Sequence, residues 1–146
     1  MEKTAKASSS KNHTGDARGT ILVVEDEPPM LYVLEKTLAK HGYAVLTAPN
    51  GEAAIEAYCR HKSEIDVVLL DVGLPRIKGT DVLHKIKSEN PAVSVVVCSG
   101  FLEPELKTML DHDVDHFIQK PYILDELVKT IQALIERREA VTAGSP

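Results

Sequence analysis

Ile65-Asp66-Val67-Val68-Leu69-Leu70-Asp71-Val72-Gly73-Leu74-Pro75 is the stretch that decides the fold. Its apolar, branched centre runs into a lone carboxylate, and a proline four residues later stops regular structure. A short Val- and Leu-rich run bounded this way reads as a strand buried on both faces, the signature of a parallel sheet. A carboxylate placed where such a strand ends stands at the carboxyl edge of the sheet, where α/β folds carry their chemistry. Asp71 is therefore the first candidate functional residue.

Working outward, the same pattern recurs. Thr20-Ile21-Leu22-Val23-Val24 is a second buried strand that ends in acid, Glu25-Asp26-Glu27. Pro28 and Pro29 follow, and proline suits a first helical turn, where its missing N–H costs nothing. Glu27 reads as a helix-capping or solvated acid. Met30, Val33, Leu34 and Leu38 then recur at helical spacing up to His41, with Gly42 as the stop. Tyr43 to Thr47 reads as a strand. Asn50 caps a helix over 51–61 whose inner face carries Ala53, Ala54, Ile55 and Tyr58. Beyond the Asp71 strand, residues 75–79 form a loop and 80–88 a helix bearing Val82, Leu83 and Ile86.

Val93 to Cys98 is a fourth buried strand, ending in Ser99-Gly100. The spacing then predicts a short helix over 102–112, with Asp113 in a left-handed turn that glycine would fit more easily. A fifth strand over 115–118 runs into Gln119-Lys120-Pro121. A last helix over 125–138 carries the stripe Leu124, Leu127, Val128, Ile131, Leu134 and Ile135. Five strands alternating with five helices predict an α/β, doubly wound, three-layer sandwich with a parallel sheet covered on both faces. Residues 1–18, rich in Ser, Lys and Thr, read as a disordered leader, 19–138 as one domain and 139–146 as a flexible tail.

Composition limits the function. At 146 residues the chain is long enough for one proper core. A net charge of −5 argues against direct nucleic-acid binding, which needs a basic face. Cys59 and Cys98 show no metal-type spacing and fit a reduced, cytoplasmic setting. No segment approaches the apolar length of a membrane span. The six histidines (13, 41, 61, 84, 112 and 116) are scattered and read as incidental.

In a doubly wound sheet the carboxyl ends of the central strands lie side by side. Glu25, Asp26, Asp71, Ser99 and Lys120 therefore meet in one crevice although they are far apart in sequence. Two like charges about 4 Å apart repel by roughly 4 kcal/mol at an effective dielectric near 20, so three clustered carboxylates call for a cation. Oxygen-only ligands point to Mg2+ rather than zinc, and magnesium leaves room for phosphate oxygens. Asp71 is the candidate nucleophile, since carboxylates form aspartyl-phosphates. Lys120 supplies a positive charge to a phosphate oxygen, Ser99 a hydroxyl, and Gly100 lets the backbone approach closely. Lys120-Pro121 is a candidate cis peptide, which would aim the lysine inward.

The ordered set Glu25-Asp26, Asp71, Ser99-Gly100 and Lys120-Pro121 resembles the receiver domain of two-component response regulators, over about residues 19–137. The resemblance implies the flavodoxin-like strand order 2-1-3-4-5. It implies that Glu25 and Asp26, with Asp71 and the backbone carbonyl of Gly73, hold Mg2+. Asp71 would accept a phosphoryl group from a sensor histidine kinase or a histidine phosphotransfer protein and lose it by slow hydrolysis, so the protein is not a conventional turnover enzyme. Ser99 and Phe117 would form the switch and Lys120 would bind the phosphate. The surface of the fourth helix, fifth strand and fifth helix would meet a downstream protein or a second copy. Glu25 where Asp is commoner, Lys78 before Gly79, Phe117 without a hydroxyl and Asp113 in place of glycine are departures, and none removes a reacting group.

Twenty-five residues follow Pro121, too few for a DNA-binding module, so the reading is a stand-alone regulator or a piece of a larger protein such as a hybrid sensor kinase. Two alternatives belong to other classes. A magnesium phosphatase would need a second acid beside the nucleophile, where Val72 and Gly73 stand instead. A phosphorylation-independent binding module would have no use for the intact acceptor set.

Overall fold

The computed structural model describes residues 17–71, 79–100, 114–121 and 123–144, with side chains up to 139. Among the described residues there are five strands and four helices. In chain order they are β1 (Thr20–Val24), α1 (Pro28–Lys40), β2 (Ala44–Ala48), α2 (Gly51–His61), β3 (Val67–Asp71), α3 (Gly79–Glu89), β4 (Ser94–Ser99), β5 (His116–Gln119) and α4 (Leu124–Gly144). The sheet is parallel throughout, in the order β2-β1-β3-β4-β5, which is the 2-1-3-4-5 arrangement. The helix expected over 102–112, Asp113, the 75–78 loop with Lys78, and Gly73 lie outside the described residues.

Strand alternation divides the core into two layers. Leu22, Val24, Val68, Leu70, Val95 and Val97 pack with Ala54 and Tyr58 of α2 and Val82, Leu83 and Ile86 of α3. Ile21, Val23, Val67, Leu69, Val96 and Cys98 pack with Leu34 and Leu38 of α1 and the Leu127–Ile135 stripe of α4. Both faces of the central strands are thus dry, as their unbroken apolar runs require. β5 is the exception. It is an edge strand of four residues, none of them fully buried.

Local chemistry sets the boundaries. The Asn50 side chain accepts from the Ala53 N–H at 2.8 Å and opens α2. Gly42, at φ 96, turns the chain out of α1 in a conformation glycine takes without strain. The Tyr43 N–H still donates to the Leu38 carbonyl, so β2 starts one residue later than the spacing predicts. Two expectations need correction. Val33 is 37% exposed, because Leu31 rather than Val33 turns toward the core with Met30, Leu34 and Leu38. The last helix does not stop near Arg138, since α4 continues to Gly144. Glu139 and Ala140 are good helix formers, and Gly144 is the poorest of the segment. Among the described residues, no helix is long and apolar enough to cross a membrane.

Candidate functional site

The ends of β1, β3, β4 and β5 deliver the site. Asp71 is the last residue of β3 and Ser99 the last of β4. Glu25 and Lys120 stand one residue beyond β1 and β5, and main-chain bonds continue the ladder to reach them. The Glu25 N–H donates to the Ala48 carbonyl at 3.1 Å, and the Lys120 N–H to the Ser99 carbonyl at 2.8 Å. Each backbone is therefore fixed by the sheet before any side chain is placed. The Lys120–Pro121 peptide is cis.

The side chains converge. Lys120 Nζ lies 3.1 Å from Asp71 Oδ2 and 3.1 Å from Glu25 Oε1, and it donates to Glu25 Oε2 at 3.4 Å. Glu25 is wholly enclosed, Asp71 nearly so, and the lysine side chain is 21% exposed. One carboxylate oxygen from each of Glu25, Asp26 and Asp71 lies within 4.8 Å of the others, an arrangement able to hold a metal ion, with Asp26 nearest to solvent. The donor set is oxygen only, the chemistry a hard cation requires.

Burial raises the Glu25 carboxyl above its ordinary value, and the charge of Asp71 pushes the same way. The Lys120 hydrogen bond and charge, and the Glu27 N–H, pull back without cancelling the rise. For Lys120, burial pulls the pKa down, but its bonds to Asp71 and Glu25 and their charges outweigh that and raise it overall. The lysine is therefore an ammonium at neutral pH, acting as the internal counter-ion of two enclosed carboxylates.

Ser99 is buried, and alternation along β4 sets it on the same face as Val97, the register partner of Phe117. Phe117 is half-buried against that core layer. A methyl group added at Gly100 would meet no described atom within 4 Å, so packing does not demand glycine there. Glu27 sits at the N-cap of α1 but makes no side-chain capping bond. Its main-chain N–H donates to Glu25 Oε2 at 3.3 Å instead, a support that no residue-type pattern announces.

The sequence profile of the response regulator receiver domain matches residues 21–132. The probable transcriptional regulatory protein TcrX of Mycobacterium tuberculosis is 37% identical over 127 residues, covering 86% of this chain and 53% of TcrX. The chain thus spans about half the length of that relative. A response regulator receiver domain protein from Clostridium thermocellum superposes with a TM-score of 0.79 at 26% identity, covering 84% of this chain and 98% of the other. The response regulator TrrA of Thermotoga maritima, solved in complex with Mg(2+)-BeF, superposes with a TM-score of 0.70 at 28% identity, covering 80% and 98%. Profile, relatives and sheet order agree, and the chain belongs to the response regulator receiver domain family.

Proposed function

We propose that Asp71 accepts a phosphoryl group from a phosphohistidine, on a sensor histidine kinase or a histidine phosphotransfer protein, in a Mg2+-dependent reaction in the cytoplasm. The observation that carries this reading is the Asp71 carboxylate at the end of β3, 3.1 Å from the Lys120 ammonium and within 4.8 Å of the other two acids. Glu25, Asp26 and Asp71 are the residues to hold the cation. The Gly73 carbonyl, the fourth expected ligand, lies outside the described residues. When bound, the cation neutralises charge on the acids and on the incoming phosphoryl oxygens.

An Asp71 oxygen attacks phosphorus in line with the histidine nitrogen. The O–P bond forms as the P–N bond breaks, and the nitrogen keeps the electron pair. Such transfers depend on positioning and charge neutralisation more than on covalent help. Lys120, now shared between two carboxylates, turns one donor to a phosphoryl oxygen. The Ser99 hydroxyl donates to another, and glycine at position 100 lets main chain approach. Hydrolysis of the acyl phosphate returns Asp71, so the protein is a switch rather than a turnover catalyst. The new charge draws Ser99 toward it, Phe117 follows, and the surface beside β5 changes for a downstream protein or a second copy. TrrA in complex with Mg(2+)-BeF supports magnesium as the ion.

The test is incubation with Mg2+ and acetyl phosphate, followed by intact-mass measurement. Wild type gains one phosphoryl group and Asp71→Asn gains none. An unlabelled wild type, or equal labelling of Asp71→Asn, overturns the proposal.

A further inference from the structure

Two aspartates at the opposite edge of the sheet make the same pair of bonds. Asp66 directly precedes β3. Its N–H donates to the Thr20 carbonyl at 2.9 Å, and its Oδ2 accepts the Thr20 N–H at 2.9 Å. Asp115 directly precedes β5. Its N–H donates to the Val95 carbonyl at 2.9 Å, and its Oδ2 accepts the Val95 N–H at 2.7 Å. Each residue thus clips the start of its own strand to the neighbouring strand through main chain and side chain together. The outer oxygen of each faces one of two consecutive arginines on α4: Asp66 Oδ1 lies 3.9 Å from Arg138 Nε, and Asp115 Oδ1 lies 3.7 Å from Arg137 Nη2. Arg138 also donates to the Ala92 carbonyl at 2.8 Å.

Each clip lies five residues before a site residue on the same strand, Asp66 before Asp71 and Asp115 before Lys120. The two strands depend on their clips unequally. β3 is central and is hydrogen-bonded to β1 on one side and β4 on the other. Among the described residues β5 is an edge strand of four residues with one partner. A strand that short, bonded on one side, is weakly held in register. It nonetheless carries the ammonium that must sit 3.1 Å from Asp71.

From this we infer that Asp115 is a positioning residue for phosphoryl transfer, fixing the height of β5 along the sheet and so the place of Lys120 over Asp71. The inference rests on the proposed reading of Asp71 and Lys120. Asp66 performs the same operation where the sheet already holds the strand, so its loss matters less to the chemistry.

The experiment is the rate of Asp71 labelling by saturating acetyl phosphate and Mg2+ in the full chain. A misplacement of about 1 Å costs up to about a hundredfold, so Asp115→Ala slows labelling on the order of tenfold. Asp115→Asn, whose amide oxygen still accepts the Val95 N–H, keeps close to the wild-type rate, and Asp66→Ala slows it less than Asp115→Ala. The deciding arm is the pair with Lys120→Ala. If Asp115 acts through the lysine, Asp115→Ala adds nothing in that background. A merely structural role slows both backgrounds alike and overturns the inference, as does an unchanged rate in Asp115→Ala. If Asp115→Ala does not fold, Asp115→Glu carries the same comparison, since it keeps the charge but misplaces the acceptor. A wild type that takes no label overturns the reading of Asp71 itself, which a labelled wild type with an indifferent Asp115→Ala does not.

Discussion

Replacing Lys120 by methionine removes the ammonium while keeping most of the stem. Its two contacts at 3.1 Å, to Glu25 and Asp71, are each worth about 5 kcal/mol of attraction at an effective dielectric near 20. Most of that gain is offset by the cost of taking three charges out of water. Removing one partner of a buried ion pair costs about 3–5 kcal/mol. With the lysine side chain 21% exposed, the lower end applies, about 3 kcal/mol. For a domain of this size that lowers the melting temperature by about 9 °C. The loss is specific to the metal-free protein, because a divalent cation among the acids takes over the neutralising role. Urea unfolding in chelator and again in saturating Mg2+, followed by far-ultraviolet circular dichroism since the chain has no Trp, measures both. The expected deficit is large in chelator and falls below about 1 kcal/mol with the cation, in the range of an exposed pair. An equal deficit in both buffers, or none in chelator, would refute the electrostatic account of the cluster.

Two further outcomes follow from single residues. Glu25 holds its proton more tightly in the fold than its ordinary value of 4.5. Its favourable contribution is therefore complete below that value and is lost as pH rises through the raised one. A cation needs the ionised form, so Mg2+ affinity measured by calorimetry weakens as pH falls from neutral through the raised value; a flat profile contradicts the assignment. Among the described residues the enclosed Tyr58 hydroxyl has no partner in hydrogen-bonding geometry, and burial pushes its pKa up even though Asn90 nearby draws it down. Tyr58→Phe removes a polar group without opening a cavity, so chemical denaturation gives equal or greater stability, by up to about 1 kcal/mol; a loss of that size shows the hydroxyl to be satisfied.

The sequence was most legible where a buried strand meets a polar residue. Val-rich runs announce their own ends, and those ends carry Glu25, Asp71 and Ser99, while Lys120 follows the shorter, partly exposed run His116–Gln119. It was least legible where small differences decide. Val33 and Leu31 are equally apolar, and only the direction α1 takes across the sheet selects Leu31. The segment after Arg138 is small and polar, a composition that fits coil and helix alike. Asp115 was hidden for a different reason. Its partner is the backbone of Val95, and a main-chain N–H carries no trace in the residue alphabet. The one available signal was an acid directly ahead of an apolar run, shared with Asp66.

The lysine exposes a constraint that its own strand does not state. Adjacent strands are about 4.8 Å apart, so β5 lies about 10 Å from β3 and farther still from β1. Lys120 must therefore reach across the end of β4 to touch both Asp71 and Glu25. A large side chain at the end of β4 would stand in that path, and the chain places Ser99 there. The small residue after Cys98 and the long one after Gln119 solve a single geometric problem. Serine meets it while leaving a hydroxyl in the crevice, which alanine would not. Glu25 answers from the other side, since its extra methylene extends a carboxylate from β1 toward the incoming amine. On this argument the departure at Glu25 and the position of Lys120 belong together, and each is fixed by the distance between strands that sequence order alone does not disclose.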